Sequence, residues 1–336
     1  MCKKLCLIAI IAALAALLGV VLATASTSPL AVRRDAANAL YAPAGPRSAQ
    51  NPAYSPDGRR VLSTIFHNGY NNGPAGLYIL DRISGEITTL LDEPDQDSVN
   101  LPGASWNGPR DLITFSSDRQ DRHEVWTVNP RSGALFRITR DVDKGESIEP
   151  SFSPDGDWIV FEVSKARNGE ERFGALWKVR SDGTELTRLT GGPGEEWDDR
   201  QPNWSPRGDR IVFQRRPIGG DLWGLYTISP NGGAVLPLLV SPFDHSDAAW
   251  SPDGRQIVFS SDHGGLANPQ IFVISSEGSV PVRVTLDAGY SDSAPSWSVD
   301  GSRIAFESHL TEASPASLWE IAAPVGSRAR RRAVRR

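Results

Sequence analysis

The amino-acid sequence predicts an all-β fold, a six-bladed β-propeller built of four-stranded antiparallel blades. Two observations carry the prediction. A segment ending in an aromatic residue and running into Ser-Pro-Asp-Gly or a close variant recurs six times, with the aromatic at 54, 106, 152, 204, 250 and 297, so that copies lie 46–52 residues apart. Propeller blades repeat at roughly this spacing, about 40–50 residues. Glycine (31) and proline (25) are scattered along the chain rather than clustered, as many short strands joined by turns require.

Each repeat reads as four strands in order. The first ends at the aromatic residue. The turn that follows has proline to preset φ, aspartate tolerant of the next position and glycine to accept positive φ. It is Ser55-Pro56-Asp57-Gly58 in the first repeat, degenerates to Asn107-Gly108-Pro109 in the second, carries Arg207 for Asp in the fourth and Val299 for Pro in the sixth. A short apolar second strand comes next, at 61–66, 112–115, 158–161, 211–213, 257–259 and 304–306. The third strand, at 77–80, 125–128, 176–179, 225–228, 271–274 and 318–321, alternates large apolar with smaller or polar residues, the mark of a half-buried strand. A glycine turn then leads to a last strand ending in Arg137-Ile138-Thr139, Arg188-Leu189-Thr190 or Arg283-Val284-Thr285. The aromatics are expected to pack blade against blade, and the turn aspartates, such as Asp155 and Asp253, to cap their own turns. The sixth repeat runs out of strands after residue 321, and the segment 31–42 is the natural donor of its outermost one.

The ends of the chain read differently from its body. Lys3 and Lys4 precede an apolar run over 5–22 and the small residues Ala23-Thr24-Ala25, the pattern of a secretory signal over 1–25. An uncleaved anchor is the other reading of that run. Cys2 and Cys6 both fall inside it, so the exported chain holds no disulfide and relies on burial and sheet closure. Removing Lys3 and Lys4 leaves 33 basic against 40 acidic residues, a net of −7; setting aside the six arginines of 328–336 leaves 27 against 40, a net of −13. An acidic body argues against nucleic acid as a partner, while the basic tail reads as a solvated end or a contact for anionic surfaces. The expected organisation is a signal at 1–25, an N-terminal segment at 26–49 that closes blade six, a propeller at 50–323 and a basic disordered tail at 324–336.

The repeat Pro-x-Trp-Ser-Pro-Asp-Gly-x-x-Ile-x-Phe, continued by Ser116-Ser-Asp-Arg119 or Ser260-Ser-Asp-His263 and then by Glu124-Val-Trp126 or Gln270-Ile-Phe272, resembles the WD40-like repeat family of the TolB propeller. The resemblance covers about residues 50–323 and implies a TolB-like six-bladed propeller in an exported protein of the periplasm or cell exterior. TolB carries an α/β domain before its propeller, and the segment before the first repeat is too short for one, so the resemblance extends to the propeller alone.

Catalytic signatures are weak. The nearest approach to a Gly-x-Ser-x-Gly elbow is Gly103-Ala-Ser-Trp-Asn107, which lacks the final glycine. The Ser-Pro-Asp-Gly turn differs from the Ser-x-Asp-x-Gly box of sialidases. His67, His123, His245, His263 and His309 show no zinc-type spacing. No catalytic residue and no metal ligand is assigned on these grounds. The candidate binding residues are the acidic ones entering each first strand, which in a propeller lines the channel: Glu146, Glu149, Asp198, Asp199, Asp247 and Asp292, with His245 beside them and Asp95 and Asp97 in the second repeat. Such a negative mouth suits a cationic peptide or a basic partner loop, or Ca²⁺, which takes several oxygens. The sequence reading is therefore a monomeric, non-catalytic binding or scaffold propeller that recognises a protein or peptide, needs no cofactor unless Ca²⁺ occupies the mouth, and spans no membrane after signal cleavage. A lyase or hydrolase at the channel mouth and a carbohydrate-binding propeller using Trp197 and Tyr290 are the alternatives.

Overall fold

The structure, a computed structural model, describes residues 36–166, 172–191, 196–286, 289–311 and 313–324. The expected signal at 1–25 and, apart from Pro324, the expected tail at 324–336 lie outside the described residues. Six antiparallel sheets follow one another along the chain, and each packs on the next, the sixth returning to the first. The fourth blade shows the pattern: Trp197–Trp204, Ile211–Pro217, Gly224–Ile228 and Leu236–Leu239, paired in sequence order from channel to periphery. In the second blade the innermost strand is broken into Ser98–Val99 and Trp106–Asn107.

The turn sequence explains the inner hairpin. In the first blade Ser55 Oγ accepts the Arg60 N–H at 2.9 Å, Asp57 accepts the Ser55 hydroxyl at 2.6 Å and the Arg59 N–H at 3.0 Å, and Gly58 sits at φ 70°. The same bonds recur around Ser153, Ser251 and Ser298. The six aromatics are buried where adjoining blades meet. Trp106 packs with Ala53 and Leu62 of blade one, Trp204 with Val160 and Leu176 of blade three, and Trp297 with Val258 and Val273 of blade five. Each such side chain contributes about 2–3 kcal/mol by leaving water, which is the main adhesion between blades. At the periphery the Arg-x-Thr endings have a purpose as well: Thr139, Thr190 and Thr285 accept N–H groups of Val125, Leu176 and Ile271 at 2.9–3.0 Å, tying the outer strand to the third.

Blade six takes its outermost strand from the other end of the chain. Asn38–Tyr41 pairs antiparallel with Ser317–Ala322, with Asn38 opposite Glu320 and Ala39 opposite Trp319. The ring is thereby fastened by one sheet made from both ends of the described chain.

Candidate functional site

The first strand of each blade carries a defect that creates the site. In blades one, three, four, five and six the pairing with the second strand shifts register between the fourth and the first residue before the aromatic. Within each bulge the residue three before the aromatic turns left-handed: Asn51, Glu149, Gln201, Asp247 and Ala294, with φ of 49–54°. Gly103, at φ 89°, holds the same place in blade two. Left-handed backbone costs a non-glycine residue about 1 kcal/mol or more, so five such residues at equivalent places call for compensation. Four of them form a relay around the channel. Gln201 donates its N–H to Glu149 Oε2 at 2.8 Å, Asp247 to the Gln201 side-chain oxygen at 3.0 Å, and Ala294 to Asp247 Oδ2 at 3.4 Å. Ala294 has no acceptor to offer, and the Asn51 N–H goes instead to Glu307 Oε2 at 2.9 Å.

Glu307 belongs to a second polar ring. The residue ten beyond the aromatic, on the second strand, is Thr64, Ser116, Glu162, Gln214, Ser260 or Glu307, and all six are buried. Between the two rings lies a cavity of about 270 Å³ lined by Asn51, Glu149, Gln201, Asp247, Ser293 and Glu307, with Tyr70 and Asn100 beside them. Glu149 and Asp247 keep part of their surface accessible because they face this cavity, although both lie deep in the molecule.

Burial dominates the electrostatics. It raises the Asp247 carboxyl above the usual range and pushes Glu307 up to about 7, with the charge of Asp247 adding to the effect. Glu307 Oε1 accepts the Tyr70 hydroxyl at 2.9 Å and the Ser293 hydroxyl at 3.1 Å. Glu162 stands behind Glu149 with no donor reaching either of its oxygens. Burial first, and then the neighbouring Glu149, hold its pKa well above the usual carboxylate range. Arg200 approaches Glu162 at 4.0 Å, but its guanidinium is taken by Asp198, with both contacts at 2.9 Å. The site is a polar, acidic chamber able to hold protons or a cation.

Of the residues chosen from sequence, the structure brings Glu149 and Asp247 together in this chamber. The others are engaged elsewhere. Asp199, His245 and Asp292 each lie five before their aromatic, are fully buried, and bond the residue directly opposite on the second strand: Arg215 at 2.5 and 2.8 Å, Ser261 at 2.8 Å and Ser308 at 2.6 Å. Asp198 is neutralised by Arg200 and Arg216 and accepts the Gly174 N–H. Glu146 opens the strand Glu146–Phe152 opposite Ser164, and Asp95 is exposed in a turn. His245, whose pKa burial lowers to about 4, also bonds Ser241 at 2.7 Å through Nε2. Asn51, Gln201, Glu162, Glu307 and Tyr70 were missed; the signal for Glu162 and Glu307 was a repeat column that is polar in all six copies within or just past an apolar strand. Of the two aromatics considered for a sugar, Trp197 is covered by the Arg215 guanidinium at 5.1 Å, and Tyr290 accepts the Gln270 side-chain amide on its carbonyl oxygen at 2.6 Å. A larger cavity of about 380 Å³ opens among the proline turns and aromatics of the repeat, where the side chains are those that build the fold.

Among the described residues, the group of three carboxyl or imidazole side chains that closes to within 4.8 Å of one another is Asp97, Asp118 and His123, away from the channel ring. No helix of the described residues is long and apolar enough to cross a membrane.

The sequence matches the TolB beta propeller domain over residues 43–251 and 201–320, which together take in most of the chain. The chain belongs to that family. Among its relatives, an uncharacterized protein of Agrobacterium fabrum is 29% identical over 259 residues, covering 64% of this chain and 85% of the relative. The dipeptidyl-peptidase 5 of Aspergillus fumigatus is 28% identical over 155 residues, 40% of this chain but 22% of the peptidase. This TolB-type propeller is also similar in fold to TolB from Acinetobacter baumannii, at TM-score 0.55 and 18% identity, covering 83% of this chain and 65% of that one. An oligogalacturonate lyase in complex with manganese fits equally well, at TM-score 0.55 and 14% identity over 86% of this chain and 93% of the lyase. These likenesses overturn the expectation of a non-enzyme. Proteins named as peptidases and a lyase share the repeat or the fold, because a rigid ring presents catalytic and binding loops equally well.

Proposed function

We propose that this propeller is an exported, monomeric recognition protein that takes the cationic group of a protein or peptide partner, an ammonium or guanidinium, into its carboxyl-lined channel. The observation that supports the reading is the gathering of Glu149, Asp247 and Glu307 around one chamber with Glu162 behind them, while the guanidinium that approaches them, Arg200, is already held by Asp198. Burial pushes the Glu307 carboxyl up to about 7 and shifts Glu149 and Asp247 in the same direction, so at neutral pH an entering cation displaces the proton of Glu307. Binding therefore releases protons and tightens as pH rises toward and past 7. The pattern of residues 1–25 supports export.

Calorimetric titration with a lysine- or arginine-bearing peptide, in two buffers of different ionisation enthalpy at about pH 6 and about pH 8, tests the idea. Proton release and a loss of affinity of about tenfold in Asp247→Asn and Glu307→Gln are expected. Equal affinity for a peptide with norleucine in place of the cation would sink it.

A second reading has its own support in Glu307. A carboxyl with a pKa of about 7, bonded to Tyr70 and facing a cavity, is suited to proton transfer at neutral pH. Such a site favours neutral or cationic substrates, since an acidic chamber repels a polyanion such as oligogalacturonate. Turnover of neutral or cationic peptides and glycans that disappears in Glu307→Gln would select this reading over simple binding.

A further inference from the structure

We propose that Asp97, Asp118 and His123 form a divalent transition-metal site, of the zinc type, on the second blade. A carboxylate oxygen from each aspartate and a ring nitrogen of the histidine lie within 4.8 Å of one another. Three ligands bound at about 2.0–2.2 Å in a tetrahedron stand about 3.4 Å apart, so closure around an ion asks for side-chain movements of about an ångström. A mixed imidazole and carboxylate set suits zinc, and three protein ligands leave the fourth position to water.

A second observation points the same way. His123 Nδ1 is buried and has no hydrogen-bond partner, although a buried imidazole nitrogen ordinarily finds one. The equivalent place in blade five is an internal comparison. There Asp244 and Asp262 repeat the pair, with the Asp244 N–H bonded to Asp262 at 2.7 Å as the Asp97 N–H is to Asp118 at 2.8 Å. Asp244 accepts the Trp223 N–H at 2.8 Å as Asp97 takes a backbone hydrogen bond from Ala75, whereas the strand position preceding Gln270, which matches that of His123 before Glu124, is Pro269. The pair of aspartates is thus part of the repeat, and the imidazole is what blade two adds.

The test is zinc titration of the full chain against a chromophoric chelator at about pH 7.5, with Cys2→Ser and Cys6→Ser to remove competing thiolates. One equivalent is expected to bind, with affinity falling at least about tenfold in His123→Ala and in Asp118→Asn, and unchanged in Asp262→Asn. Calcium, which requires about six or more oxygens, should not displace it. Thermal melts without metal confirm that the variants fold, and anomalous diffraction from zinc-soaked crystals locates the ion independently. Absence of binding, loss on Asp262→Asn instead of His123→Ala, or an anomalous peak elsewhere would overturn the assignment.

Discussion

Glu307→Gln separates an acid-base role of the channel from a purely structural one. The Glu307 carboxyl titrates at about 7 in the folded protein against an ordinary value of 4.5. Below the ordinary value it is protonated whether the chain is folded or not, and it leaves the balance unchanged. Between 4.5 and about 7 the unfolded chain gives up the proton while the folded chain keeps it, so stability falls as pH rises. Above 7 the full difference is expressed, roughly 3 kcal/mol, taking about 1.36 kcal/mol for each pH unit between the two values. Glutamine keeps an oxygen for the Asn51 N–H and cannot ionise, so the variant escapes that loss. For a folded body spanning residues 36–324, roughly 3 kcal/mol corresponds to about 5 °C in melting temperature. Melts of both proteins at about pH 5 and about pH 8 should therefore show Glu307→Gln gaining about 4 °C on the parent between the two conditions, because part of the loss is already present at about pH 5. A difference independent of pH would refute the claim that this carboxyl is held protonated by burial.

Other substitutions probe the remaining elements. Asp199→Asn strands the buried Arg215 guanidinium without its carboxylate and should cost about 3–5 kcal/mol in urea titrations, whereas Asp247→Asn keeps an acceptor for the Ala294 N–H and should melt within about 2 °C of the parent by scanning calorimetry. Gly174→Ala would set a methyl group hard against the Asp199 carbonyl oxygen and 2.7 Å from Glu162 Oε1, so a loss of about 1–3 kcal/mol is expected in denaturant titrations. Deleting residues 26–44 removes the strand Asn38–Tyr41 that completes blade six, and a melting temperature lower by more than about 5 °C should follow.

The blades were legible in the sequence because the turn and the aromatic recur, and the same serine and aspartate bonds close four of the six inner hairpins. The channel was only half legible. Glu149 and Asp247 were chosen for their charge near the start of the inner strand, and they do face the chamber. Asp198, Asp199 and Asp292 were chosen on the same ground and do not. The bulge is the reason. One inserted residue changes which side chain points inward, so the position three before the aromatic faces the channel while the position five before it meets its opposite number on the second strand. Charge along a strand cannot reveal that shift. Glu307 was hidden for a different reason. It sits at the end of an apolar run, 256 residues along the chain from the Asn51 N–H it accepts, and ring closure alone brings blade six against blade one.

The two channel rings also differ from the rest of the repeat in what the fold asks of them. Where blades meet, the aromatic and the second-strand phenylalanine recur because packing accepts little else. Three residues before the aromatic, the six copies hold Asn51, Gly103, Glu149, Gln201, Asp247 and Ala294. The backbone there is left-handed in every blade, yet the side chain is different in each. The fold therefore requires a bent backbone, and the N–H groups of Gln201, Asp247, Ala294 and Asn51 each find a side-chain acceptor; where Ala294 supplies none, Glu307 reaches across from the second ring. Packing does not explain why three of these positions bear glutamate, glutamine and aspartate in consecutive blades, or why a buried carboxyl, Glu162, lies behind the first of them. A chamber whose frame is set by the repeat and whose lining is free of it is where selection for a ligand can act without weakening the ring.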